Sequence, residues 1–214
     1  MSDMAVEYTL EPVKPETTRK IDGEYDNSFI TDFKGSPYKD EDSFSKSQRV
    51  AKALSSSDLV PDKFQGGSNR AIANTLIALE LSYRTKMSPF MVMQNLYIIQ
   101  GRPSWSSQFL IAMVNACGRF STELRFEKIK DGDDYGYRCY VKAKDGEILE
   151  GSPVMMSLAI GEGWLNKHGS KWKTMPDLML RYRAAAFFAR QYCPDLLLGL
   201  YSEFEQHDII NQRD

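Results

Sequence analysis

The chain has 214 residues, with 27 lysines and arginines against 29 aspartates and glutamates, and three cysteines. A chain of that length buries about 70% of its unfolded surface, so its core needs no disulfide staples. The odd, widely spaced Cys117, Cys139 and Cys193 suit neither a disulfide framework nor a zinc site, and fit a reducing cytosol. No apolar run approaches the roughly 18 residues of a membrane span, and the first residues lack the basic-then-apolar pattern of a secretory signal.

The net charge of −2 argues against a polyanion partner, but its distribution reverses that reading. Residues 1–48 carry a net −5, residues 49–201 a net +6 and residues 202–214 a net −3. Acidic ends flank a basic middle, which suits a polyanion.

In chain order, residues 1–42 read as an acidic arm rich in turn formers, either disordered in isolation or packed on a neighbouring subunit. Ser43 to Leu54 has a short helical pattern. A second helix opens at Gly66-Gly67-Ser68-Asn69, capped by Ser68 or Asn69, with Ile72, Leu76, Leu79 and Tyr83 as its buried stripe. Met91-Val92-Met93 is a compact apolar run. Leu96 to Ile99 reads as a strand entering a tight turn at Gln100-Gly101-Arg102-Pro103. Trp105 to Cys117 is a helix capped by Ser106 or Ser107 and closed by Gly118.

A three-stranded antiparallel meander is predicted next: Phe120–Lys130, Tyr135–Ala143 and Glu147–Met155, joined at Asp131-Gly132 and Asp145-Gly146, with Pro153 disturbing the third strand. One face is apolar, and the other offers Arg125, Arg138, Lys142 and Lys144. Ser157 to Leu165 is helical, and Lys167, His168 and Lys171 lie in a basic loop. The closing segment runs from Cys193 to Tyr201, and the acidic tail, residues 202–214, is expected to fray. The fold class is therefore α+β, a small antiparallel meander packed with helices over residues 43–201.

The stretch Trp172–Arg190 reads as one helix, with Pro176 in its first turn, Thr174 capping and Asp177 near its positive end. At 100° per residue, Arg183 and Arg190 fall within about 20° of each other. Arg181 points nearly the opposite way, towards Asp177, its i,i+4 partner. Arg183 and Arg190 thus form one basic stripe, with Phe187 beside it. Arg181, Asp177 and Pro176 serve as scaffold, and Trp172 between Lys171 and Lys173 is the best candidate for an exposed ring. On that reading, replacing Arg183 and Arg190 by Ala weakens binding to a polyanion, whereas Arg181→Ala lowers the melting temperature.

Several chemistries are excluded or disfavoured. No Gly-x-x-x-x-Gly-Lys-Ser/Thr run exists for a P-loop ATPase, and no serine nucleophile elbow is present. His168, one of two histidines, has no paired Asp or Cys in local register. Asp131, Asp133, Asp134, Asp145 and Glu147 occupy turn positions, where aspartate and glycine serve the backbone rather than a nuclease metal. What remains is binding: cations interleaved with aromatics suit single-stranded nucleic acid.

The run Trp172-Lys173-Thr174-Met175-Pro176, then Met179-Leu180-Arg181-Tyr182-Arg183-Ala184, Arg190 and Cys193-Pro194-Asp195-Leu196, resembles the RecT/Redβ family of phage single-strand annealing proteins, over about residues 45–205. The resemblance implies a Rad52-like annealing core with a long helix lining a DNA-binding groove. It implies ATP-independent binding of single-stranded DNA and of the annealed duplex intermediate in homologous recombination, with backbones held and bases exposed. It also implies a homo-oligomer (ring or helical filament), no cofactor or metal, no membrane and no covalent catalytic step. The expected setting is the cytoplasm of a bacterial host, beside a phage exonuclease and the host single-strand-binding protein. On matching positions it assigns Arg183 and Arg190 to phosphate and Trp172 to the groove's edge. Lys173, Lys171, Lys167, Arg125, Arg138, Lys142 and Arg102 complete the candidate DNA-binding set. A non-annealing single-strand protector and a phage structural or assembly protein are the alternatives.

Overall fold

Helix formation begins where a carboxylate caps it. In a computed structural model of the chain, which describes residues 36–166 and 169–210, the Ser43 amide donates to Asp40 at 2.7 Å and opens α1, Glu41–Ser55. The ordered unit therefore starts earlier than expected. The Ser36 hydroxyl donates to Glu80 at 3.1 Å and the Tyr38 hydroxyl to the Leu76 carbonyl at 2.8 Å. The rest of the acidic arm, residues 1–35, lies outside the described residues.

α2, Asn69–Thr85, is capped by Ser68, one of the two residues that the sequence offered for the cap. Its inner face differs from the expected stripe. Ala71, Thr75, Ala78, Leu79 and Ser82 are buried, Ile72 and Leu76 are half-buried, and Tyr83 is exposed. α2 packs on α1, whose own buried residues are Ser47, Ala51 and Ser55. Small residues on both helices permit a close approach, and that turns the larger side chains aside.

The run around Met91 is α3, Pro89–Asn95, capped by Ser88 with Pro89 in the first turn. It leads straight into β1, Leu96–Ile99, which pairs antiparallel with β2, Arg102–Trp105. Gln100 and Gly101 between them both take positive φ, as a two-residue hairpin turn requires. α4, Ser107–Ala116, is capped by Ser106 and stops before Gly118 at φ 68°.

The expected meander is present. β3, Arg125–Asp131, pairs antiparallel with β4, Asp134–Lys142. The other edge of β4 carries both β5, Ile148–Glu150, and β6, Val154–Met155, because Pro153 interrupts the third strand. α5, Met156–Gly161, follows, then a short 3₁₀ turn at Trp164–Asn166.

The stretch read as one helix is two: α6, Lys171–Thr174, and α7, Pro176–Tyr192. Met175, at φ −140° and ψ 56°, separates them, and no side chain, Thr174 included, caps α7. α8, Pro194–Leu197, turns the chain, and β7, Tyr201–Ser202, joins β2 in parallel. Most of the tail expected to fray is instead α9, Glu203–Ile210, and residues 211–214 lie outside the described residues. All described residues belong to one compact unit, Gly35–Asp214.

α7 is the axis of this α+β unit. It packs between β4 and α4, with Ala184, Ala185, Ala186, Phe188 and Ala189 fully buried. Alanines allow the sheet and α4 to close in, and Phe188 fills the remaining space against Gly151, where a Cβ would sit 3.2 Å from its ring. Trp105 is also fully buried, its indole N–H donating to the Leu197 carbonyl at 3.2 Å.

The tightest backbone approach is at Gly136, where a Cβ would lie 2.2 Å from the Val154 carbonyl oxygen. Gly136→Ala must push β6 off β4, and we expect it to cost about 1–3 kcal/mol in urea unfolding monitored by circular dichroism.

Candidate nucleic-acid interface

Three arginines leave α7 in two directions. Arg183 and Arg190 share one face, as the 100° rule requires, and Arg181 takes another. The surroundings of the two faces invert the roles that the sequence suggested.

The face of Arg183 and Arg190 is turned inward at Arg183 and half-exposed at Arg190. Arg183 is 7% exposed and pairs with Asp208 of α9, itself 5% exposed. Its guanidinium lies 3.9 Å from the Trp164 ring centroid and 5.9 Å from that of Trp172. Burial pushes the Arg183 pKa down, and Asp208 works against that shift. Arg190 pairs with Glu205 of α9 and lies 4.9 Å from the Tyr201 ring centroid. α9 is held further by Tyr182 stacked on Phe204 at 5.8 Å and by Ser107 donating to Glu203 at 3.0 Å.

Two expectations are therefore corrected. Arg183 and Arg190 are not an open phosphate stripe, because carboxylates from the C-terminal helix already neutralise them. Trp172 is not an exposed ring: it is 2% exposed and packs on Trp164 at 4.9 Å between centroids. Its neighbours Lys171 and Lys173 are exposed. Lys167 and His168 lie outside the described residues.

The face of Arg181 is open. Arg181 is exposed, its guanidinium 4.7 Å from the Tyr137 ring centroid and 3.4 Å from the Tyr137 hydroxyl. Lys128 places its ammonium 4.6 Å from the Tyr135 centroid and 5.5 Å from that of Tyr137. Asp177 does not pair with Arg181. It accepts from the Tyr137 hydroxyl at 3.0 Å and from Lys128 at 3.3 Å. Partial burial pushes the Asp177 carboxyl up, but Tyr137 and Lys128 outweigh it and leave the pKa below the ordinary value. Exposed Lys130 stands opposite Tyr135 in the β3–β4 register, on the same side of the sheet as Lys128. The start of α7 thus gathers Lys128, Lys130 and Arg181 around two tyrosines, with Lys171 and Lys173 on the short helix leading into it.

The other sheet face does carry Arg125, Arg138 and Lys142, as predicted from alternation. Arg138, however, is held across the strands by Glu127 at 2.6 Å and Glu150 at 2.5 Å. Arg125, Lys142 and Lys144 are exposed, and exposed Arg102 begins β2 in the other sheet. No cluster of potential metal ligands occurs among the described residues.

Two signals were readable but missed. Lys128 and Lys130 are in phase with Phe126 at period 2, so they belong on the helix side of the sheet; Ile129 is the residue out of phase. Ser202-Glu203-Phe204-Glu205 is a capping box: the Ser202 amide donates to Glu205 at 3.1 Å and the Glu205 amide to Ser202 at 3.4 Å.

The comparisons agree with the helix at the centre of this arrangement. The RecT family model matches residues 114–214, from the end of α4 through the meander, α7 and α9. Over those residues, just under half of the chain, the protein is similar to the RecT family. RecT-family proteins bind DNA and anneal single strands in recombination. No curated protein and no solved structure matches the chain. No helix among the described residues is long and apolar enough to cross a membrane.

The internal face yields two predictions. Arg183→Ala breaks the buried ion pair with Asp208, so unfolding in urea should show a loss of about 3–5 kcal/mol. Burial raises the Glu203 carboxyl above its ordinary 4.5, so its favourable contribution is complete below that pH and is lost as pH rises through the raised value. Glu203→Gln, which still accepts from Ser107, should therefore raise the melting temperature at pH 7. That gain should vanish towards pH 4.

Proposed function

We propose that this RecT-like protein binds single-stranded DNA without ATP and anneals complementary strands as a homo-oligomer. The observation that carries the reading is the open cation–tyrosine cluster at the start of α7, inside the stretch that matches the family. Lys128, Lys130 and Arg181 contact phosphates, Lys171 and Lys173 extend the track, and Arg125, Lys142, Lys144 and Arg102 supply further cations on the sheets.

Annealing requires two mutually repelling backbones to come together. Cations that neutralise phosphates remove the repulsion and release counterions, and they read no sequence. Base pairing itself supplies the specificity, so the protein need only leave base edges free. Tyr135 and Tyr137 are covered by cations on their ring faces, which favours a backbone site over a base-stacking one. Side-by-side subunits raise the local concentration of the second strand. No step makes or breaks a covalent bond. In the cell the same reading places the protein in the bacterial cytoplasm beside a phage exonuclease and the host single-strand-binding protein.

The test mixes two complementary labelled oligonucleotides with the protein and no nucleotide, and follows fluorescence transfer. Faster pairing is expected. Binding without acceleration would make the protein a protector, and no binding would remove nucleic acid altogether. Within the same assay, Lys128→Ala with Arg181→Ala should flatten the salt dependence of single-strand binding by roughly 1.4 in log–log slope, from about 0.7 per phosphate contact.

A further inference from the structure

α6 is a single turn of four residues, with no side-chain cap and with exposed lysines on both sides of Trp172. A helix of that length does not hold itself together in water. The Trp172 indole N–H has no hydrogen-bond partner among the described residues, so packing holds the ring. What it packs on is Trp164, and over that pair lies the guanidinium of Arg183. Ser170 adds one tie, donating to the Trp164 carbonyl at 2.7 Å. Arg183 is itself aimed by Asp208, through a buried ion pair. The chain of contacts runs from α9 through α7 to the two tryptophans, and ends at Lys171 and Lys173.

We propose that Asp208 is a positioning residue for DNA binding: by holding Arg183 against Trp164 and Trp172 it fixes where Lys171 and Lys173 stand. The proposal rests on the reading that those two lysines meet phosphate. A buried ion pair is a weak source of net stability compared with apolar residues of the same volume, but it is selective about geometry. A planar guanidinium between a carboxylate and a ring has few orientations open to it. Glu205, one turn earlier on α9, supports the same arrangement through Arg190 and Ser202. α9 could also be imagined as an acidic cover that DNA displaces. The burial of both Asp208 and Arg183 favours a clamp, because a strand cannot reach that pair without first undocking the helix.

The experiment uses the full chain with a fluorescein-labelled oligothymidine, measuring anisotropy over a salt series, and tryptophan emission in parallel. Two of the three tryptophans belong to the stack, so emission reports its integrity. Asp208→Asn should shift the emission, weaken binding several-fold and lower the salt slope by roughly 1.4, as loss of two phosphate contacts would. Lys171→Ala with Lys173→Ala should do the same to slope and affinity, and combining it with Asp208→Asn should add little. A lower melting temperature with an unchanged slope would make Asp208 merely structural and overturn the proposal. Tighter binding by Asp208→Asn would overturn it in favour of the cover. If the lysine variant binds like the parent, the reading beneath the proposal fails, while the emission still shows whether Asp208 governs the stack. Should Asp208→Asn not fold, Asp208→Glu keeps the charge one methylene further out. It should move slope and emission in the same direction by less, and an unchanged slope there would count against the clamp.

Discussion

A helix enclosed by a sheet, a second helix and a C-terminal helix must find a partner for every charge it carries inward. α7 is such a helix, and Arg183 is the charge that decides its surroundings. A lone guanidinium at 7% exposure would be far too costly, so a carboxylate has to reach it, and Asp208 does. That requirement docks α9. With α9 docked, Glu205 meets Arg190, Phe204 meets Tyr182, and Glu203 meets Ser107 on α4. The acidic segment after Ser202 is in this sense the electrostatic complement of the helix, folded back upon it.

The same constraint separates what could be read from the residues alone and what could not. Local patterns gave the meander, Pro176 in the first turn of a helix, caps to within one residue at Ser68 and Ser106, and the opposition of Arg181 to Arg183. These depend on neighbours within a turn or a hairpin. Which of the two arginine faces meets water depends on Asp208, twenty-five residues from Arg183, and periodicity has no access to that. The wheel gave the correct angle and the wrong solvent side. The inner face of α2 escaped for a related reason: the small residues of α1 set it, and amplitude of hydrophobicity does not reveal closeness of approach. The phase of Lys128 and Lys130 was available, since strict period 2 from Phe126 reaches both.

The segment charges likewise needed the fold before they could be interpreted. The net +6 of residues 49–201 counts Arg183 and Arg190, which α9 neutralises, and Arg138, which Glu127 and Glu150 hold. Subtracting those leaves the field concentrated where cations reach the surface with few acids beside them. The start of α7 is such a place. The sheet face of Arg125 and Lys142 is a weaker one, because two glutamates share it.

Magnitudes then decide which cations a phosphate can take. The Lys128–Asp177 contact is half exposed, with side chains 44% and 49% accessible. Pairs of that kind are worth about 0–1 kcal/mol, so a phosphate replaces Asp177 on Lys128 at little cost, and the carboxylate returns to water. Replacing Asp208 on Arg183 would break a buried ion pair, at about 3–5 kcal/mol. A single charge-assisted contact to phosphate returns about 1.5–3 kcal/mol at most. The exchange is therefore open at Lys128 and Arg181 and closed at Arg183, and the more deeply buried arginine works through what it holds in place.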